Sequence, residues 1–270
     1  MSIFSSDLLD FGILDLLAQK DTVIHRINAM AKLLTTLIFI ILVTSYNRYA
    51  ILPLMPYFVF PVVLLVLADL PPRLILQKVL LAAPFTLFVG ILNPFFDTTP
   101  MLQLGTIYIT GGFVSFLSIF LRMLLCVTAT LLLIATTPFH EICHSLRRLG
   151  IPKPFVAQLM LLHRYLFIIA QETSRLLQAR DLRSFEGRGK ELLYYIPMVG
   201  QLLLRSLNRA QRLHAAMLSR GSTGEIHILN PAPMGHTDIA FLIGWSSVFF
   251  IFRTDIPTHL LQKIGALFLR

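Results

Sequence analysis

Charge is scarce in this sequence: Asp, Glu, Lys and Arg make up 14% of its 270 residues, 56% are hydrophobic, and mean hydropathy is +0.74. A soluble domain solvates its surface with roughly 25% charged residues, so membrane residence follows from the shortage itself. Cysteine is nearly absent. Cys126 lies inside an apolar run and Cys143 just after it. Two cysteines so placed build no disulfide framework and match neither a zinc-ribbon nor a redox CxxC spacing, which leaves packing as their role. The glycine-rich GxxxxGK[ST] loop that cradles nucleotide phosphates is missing, so any ATP must be bound by another chain. The N-terminus also lacks the basic segment and unbroken apolar core of a secretory signal, because Asp7, Asp10 and Asp15 interrupt it. A short helix lying at the membrane surface is the better reading of that segment.

Long apolar runs are present instead. A helix crossing the bilayer core takes roughly twenty mainly apolar residues, since lipid offers backbone groups no partners but each other. Five stretches fit: about 32–46, 49–68, 74–93, 111–136 and 238–252. The second carries Pro53, Pro56 and Pro61 and is expected to be kinked. Arg122 in the fourth must face protein, a polar lumen or the interface. The chain is thus read as an all-α polytopic membrane protein, divided into an N-terminal segment (1–31), four spans (32–136), a long polar region (137–236), and a last span with its tail (237–270).

Basic residues orient the spans. Lys20, Arg26 and Lys32 precede the first and Arg73 and Lys78 follow the second, against Arg48 alone in the loop between. The N-terminus is therefore expected on the cytoplasmic side. The segment 93–112 then falls outside, and it holds Asp97 but no Lys or Arg. Residues 137–236 hold thirteen of the 23 Lys and Arg and six of the 14 acids. Topology thus explains most of the net charge of +9, and no RNA-binding pattern of aromatics and glycines accompanies it, so nucleic acid is not expected as a partner.

Within that region Thr137-Pro138 opens a short helix and Gly150-Ile151-Pro152 closes it, while Gly187-Arg188-Gly189 breaks a long helix over about 154–184. A further helix is predicted near 197–219. Its Val199, Leu202, Leu203, Ser206, Leu207, Ala210, Leu213 and Met217 recur at three- and four-residue spacing, with Arg205, Arg209 and Arg212 opposite. Each long helix ends in an arginine among small or acidic neighbours, Ala179-Arg180-Asp181 and Ser219-Arg220-Gly221. Such a pair could pack on itself or lie on anionic lipid. Arginine at a helix tip, always charged and forking its donors, also suits docking on acidic groups or carbonyls of a partner.

Arg205-Ser206-x-x-Arg209-Ala210-Gln211-Arg212 followed by Ala216-Met217-x-x-Arg220-Gly221 resembles the most recognisable stretch of the CbiQ family, the transmembrane T component of cobalt and nickel energy-coupling-factor transporters. The likeness continues through Ala179-Arg180, Leu146-Arg147-Arg148-Leu149-Gly150-Ile151-Pro152, Arg164-Tyr165 and His25-Arg26-Ile27-Asn28-x-x-x-Lys32-Leu33. Two departures stand out: Ile27-Asn28-Ala29-Met30 where the family commonly reads Leu-Asp-Pro-Arg, and Ser219 where alanine is frequent. The resemblance implies a non-catalytic scaffold without a cofactor of its own. Two cytoplasmic coupling helices would dock on ABC-type ATPase subunits through Arg180 and Arg220, and a separate membrane capture protein would bind the ion.

His140-Glu141-Ile142-Cys143-His144 competes with that reading, because H-E-x-x-H on a helix places two histidines on one face to bind zinc, with the glutamate as general base. It resembles the motif of an intramembrane metalloprotease, and residues 230–235 (NPAPMG) faintly resemble that class's second motif. The aspartate that should precede the glycine is Met234 here, and Asp238 would be a substitute third ligand. Coupling, zinc proteolysis and passive anchoring at the membrane surface are the three readings. His25, His163 and His214 show no ligand spacing and are read as structural.

Overall fold

The computed structural model describes residues 17–18, 20–91, 100–104, 107–183, 195–222, 224 and 234–254. The predicted N-terminal surface helix, the Gly187–Gly189 break, residues 230–233 and the tail 255–270 lie outside them. The described elements are α1 (Ala29–Thr44), a 3-10 helix (Leu52–Phe58) running into α2 (Val59–Leu67), α3 (Pro72–Gly90), β1 (Pro100–Leu104), β2 (Ile107–Thr110), α4 (Gly111–Thr136), α5 (Phe139–Arg148), α6 (Lys153–Asp181), α7 (Tyr195–Ser219) and α8 (His236–Arg253). The fold is that of an all-α membrane protein with one exception, an antiparallel hairpin in which β1 pairs with β2 in the register Leu102 to Ile109 and Leu104 to Ile107. Met-Leu-Gln-Leu and Ile-Tyr-Ile-Thr alternate with a period of two about Gly105, a strand signal in a segment read only as a loop. The residues fall into two compact units, one of 17–138 with 234–254, the other of 139–224.

The first unit is a helical bundle. Pro56 has no N–H to donate, and this segment starts as a tight 3-10 helix before relaxing into α2. Along α4 the buried residues Gly111, Ser115, Ser118, Leu125, Ala129, Leu132 and Ala135 recur every three to four residues, giving a mostly small-residue stripe on which α1 and α3 pack closely. A Cβ at Gly90 would stand 2.6 Å from the Phe116 ring, so glycine sets how near the end of α3 comes to α4. The outward side is apolar too. Leu76, Leu80, Leu81, Phe85 and Phe88 on α3 are exposed, a surface that lipid solvates and water does not.

The bundle's core is aromatic. Phe39, Tyr57, Phe60, Trp245 and Phe249 pack with neighbouring ring centroids 4.8–6.1 Å apart. The Tyr57 hydroxyl donates to the Phe249 carbonyl at 3.1 Å and lies 3.1 Å from the Tyr46 hydroxyl, so a polar group at the bottom of an apolar cluster is satisfied. Arg122 turns toward protein, its Nη2 donating to the Asn47 carbonyl in the loop after α1.

Charged side chains join the helix ends at the opposite end of α1. Asn28 caps α1, its Oδ1 accepting from the Met30 N–H at 3.0 Å. Asp238 is buried and accepts from the backbone N–H of Asn28 at 2.9 Å and of Gly235 at 2.8 Å, placing one carboxylate at the positive ends of both α1 and α8. Lys32, 5% exposed, donates to the carbonyl of Thr136 at 2.8 Å, the last residue of α4, where the helix dipole favours a cation.

Candidate functional site

The second unit holds the residues singled out at the helix tips. α5 ends where the sequence says it must: Gly150 has φ +97°, its N–H reaches the Arg147 carbonyl at 3.1 Å, and the Ile151 N–H reaches Leu146 at 3.2 Å. Phe139 on α5 stacks on His163 of α6 at 4.3 Å, and Phe167 meets the same ring edge-on at 5.2 Å. His163 is thus a packing residue, as expected. By length and apolar composition α6 could itself cross a membrane, as could α4. Its first half (AQLMLLHRYLFIIA) is nearly continuous apolar sequence, and its charge is concentrated in the last turns.

Two tips are built differently. At the end of α6 the Arg180 guanidinium lies over the Tyr195 ring, 4.3 Å from its centroid, a cation–π contact that steers the arginine while leaving its donors usable. Ala179 and Asp181 beside it are exposed. At the end of α7, Gly221 takes φ +71°, its N–H bonds to the Leu218 carbonyl at 3.0 Å, and the Ser222 N–H returns to Met217 at 3.0 Å. That is a left-handed glycine cap, and it gives the third residue of Ser219-Arg220-Gly221 a local physical cause. Arg220 and Arg212 are exposed, with no side-chain ion pair among the described residues.

Arg205 and Arg209 are engaged within the unit, Arg209 at 3.1 Å and Arg205 at 3.6 Å from the carboxylate of Glu172 on α6. This rotates α7 away from the expected orientation. Leu202, Ser206, Arg209, Leu213 and Met217 are half-covered, whereas Val199, Leu203 and Leu207 of the predicted apolar face are exposed, and no residue of α7 is fully buried. Sequence reading missed Glu172 and Tyr195. Glu172 was legible as the lone acid within α6 ahead of its final Asp181, facing a helix rich in arginine; Tyr195 carried no signal beyond being aromatic.

The H-E-x-x-H residues do not assemble a zinc site. His140 is exposed at the start of α5, Glu141 and His144 are half-covered, and no group of three or more His, Cys, Asp or Glu converges among the described residues. Asp238, the substitute ligand, has both oxygens on backbone N–H groups. Burial, then Arg148 and Arg147, hold His144 below the usual imidazole range against a smaller opposing pull from Glu141, and burial pushes the Cys143 thiol up. A neutral imidazole and a protonated thiol on an amphipathic helix are packing residues with a wet edge.

Comparison with known proteins agrees with the helical layout. A family model described as cobalt transport protein, CbiQ, matches residues 20–228, which takes in α1 to α7. The energy-coupling factor transporter transmembrane protein EcfT of Leuconostoc gelidum is 25% identical over 256 residues, 86% of this chain and 93% of that protein. The cobalt transport protein CbiQ of Rhodobacter capsulatus is 30% identical over 102 residues, 37% of this chain and 42% of that one. EcfT of Bacillus subtilis is 26% identical over 233 residues, 80% and 87% of the two chains.

Proposed function

Because the chain belongs to the CbiQ family, we propose that it is the membrane-embedded coupling component of an energy-coupling-factor importer, carrying no catalytic residues and converting the closure of partner ATPases into movement of a membrane capture protein. Its spans sit in the cell membrane with the N-terminus and 137–236 in the cytoplasm, and the tips of α6 and α7 dock on two ABC-type ATPase subunits. Ala179, Arg180 and Asp181 form one contact and Ser219, Arg220 and Gly221 the other, with Arg205, Arg209 and Arg212 supporting the helix between. The ion imported is cobalt or nickel; cobalt is the ion in the family's description. The observation that carries this reading is the pairing of two helix tips, one whose Arg180 is held over a ring and one closed by a glycine cap after Arg220, with a family match that runs through both helices. An arginine held by a ring on one side, or by a glycine cap behind it, is prepared for an acidic or carbonyl partner and has no side-chain ion pair among the described residues.

Arg180→Ala with Arg220→Ala tests it in the intact complex. Purified with its ATPase and capture subunits and reconstituted, the double variant is expected to lose ATPase stimulation and ion uptake, while Glu141→Gln keeps both. Full uptake by the double variant sinks the docking assignment. Loss of uptake in Glu141→Gln alone would turn attention back to the H-E-x-x-H helix.

A further inference from the structure

Between α6 and α7 lies a groove of about 530 Å³, within the range of roughly 300–1,000 Å³ typical of small-ligand sites. Arg175, Arg183, Arg205 and Arg209 line it together with Gln201, and Glu172 is the one carboxylate in its walls among the described residues. That carboxylate is divided between Arg209 and Arg205, at 3.1 and 3.6 Å. Among the described residues neither Arg175 nor Arg183 has a carboxylate partner. Arg209 Nη1 is closed off from water and meets no acceptor. Four guanidiniums around one carboxylate leave the concave surface with a net positive charge, and a donor shut off from water without an acceptor adds to its unmet demand for negative charge nearby.

We propose that this groove binds a phosphate group. A tetrahedral phosphate offers several acceptor oxygens and up to two negative charges, and it matches the arginine fork bidentately, so one ligand can serve Arg175 and Arg183, which have no carboxylate partner among the described residues, together. A single carboxylate would satisfy one fork and leave the others facing each other. The phosphate can come from solution or from a phospholipid headgroup. The groove borders the α6 tip, since Ala179 also lines it, but its arginines are not Arg180 or Arg220, and the proposal does not rest on the transporter reading.

The test uses the purified full-length chain. In neutral detergent, inorganic phosphate at about ten times its Kd is expected to raise the unfolding midpoint by roughly 2–4 °C over chloride of equal ionic strength. In lipid nanodiscs the same comparison is made between phosphatidylcholine alone and phosphatidylcholine with phosphatidylglycerol. A response to inorganic phosphate assigns the site to a soluble phosphate. A response confined to phosphatidylglycerol, with one such lipid retained in native mass spectrometry, assigns it to a headgroup.

Either response is expected to weaken about tenfold or more in Arg175→Gln with Arg183→Gln, to persist in Arg212→Gln, whose arginine lies outside the groove, and to strengthen in Glu172→Gln. Should the double variant misfold, Arg183→Gln alone, at the exposed end of α6, must still weaken binding several-fold. No response to either probe, or equal loss in Arg212→Gln, overturns the proposal, because the second result is what general screening of a basic chain would give.

Discussion

The two units solve opposite problems with the same helical building material. In the bundle of α1 to α4 and α8, side chains are used up internally: aromatic rings fill the centre, small residues let helices touch, and the buried ions Lys32 and Asp238 tie helix ends together. In the unit of α5 to α7 the longest helices bury almost nothing, α7 buries no residue, and arginines outnumber acids along the groove. A structure that keeps its polar groups for outside partners gives up the packing that would stabilise it alone. Substitutions in the bundle should therefore cost stability, and substitutions in the helical pair should cost function with the fold intact.

The largest effect is expected at Asp238. Replacing it by Ala takes the carboxylate acceptor from the half-buried N–H groups of Asn28 and Gly235 and removes the negative charge between two helix N-termini. About 2–4 kcal/mol of bundle stability should go, read as a lower unfolding midpoint in detergent. If Asp238→Ala melts like the parent, the bundle is held by apolar packing alone. Tyr57→Phe comes next. It keeps the ring stack and removes the bond to the Phe249 carbonyl, for a loss of about 1–2 kcal/mol. Both numbers describe a unit that spends its polar groups on itself.

Gly221→Ala carries the contrast into the helical pair. A Cβ there meets no atom within 4 Å, so the penalty is only the left-handed backbone, φ +71°, about 1–2 kcal/mol. The strain falls on an exposed helix end, so the unfolding midpoint of the whole chain should barely move. Relaxing the cap re-aims Arg220, and ATPase coupling in the reconstituted complex should fall well beyond what stability explains. A variant that couples normally would show that the direction of Arg220 is immaterial and would weaken the distinction between the units.

The apolar helices were legible because a continuous apolar run reads as a helix, and the predicted stretches 111–136 and 238–252 fall within a few residues of α4 and α8. Gly150 and Gly221 were legible for a related reason: a helix that stops needs a residue free to turn left-handed. Pairings between distant segments were not. Asn28 with Asp238 and Lys32 with Thr136 join positions 210 and 104 residues apart, and nothing in either neighbourhood marks the partner. The rotation of α7 escaped as well, because an apolar periodicity says which residues share a face but not whether a salt bridge from Glu172 will shift the covered side toward Arg209. The tips of α6 and α7 were found by motif, and Tyr195 beneath Arg180 only by geometry.

The smallest expected effect is a pH dependence confined to the bundle. His25 precedes α1, with Nδ1 2.7 Å from the Thr22 hydroxyl and Nε2 3.1 Å from the Leu17 carbonyl. A carbonyl only accepts, so Nε2 carries the hydrogen and Nδ1 accepts from Thr22 in the neutral ring. Burial, then the nearby Lys32 cation, lower its pKa from the usual 6.5, outweighing its carbonyl contacts. Because the folded pKa lies below the unfolded one, the unfolded chain binds more protons between them. The contribution is complete above about pH 6.5 and is lost as pH falls through the folded value. The unfolding midpoint of the bundle should be flat above neutrality and decline below it, and His25→Gln should flatten that decline. A midpoint that rises as pH falls would mean that His25 gains a proton on folding, and its ring would then have to be read as the charged partner of an acid.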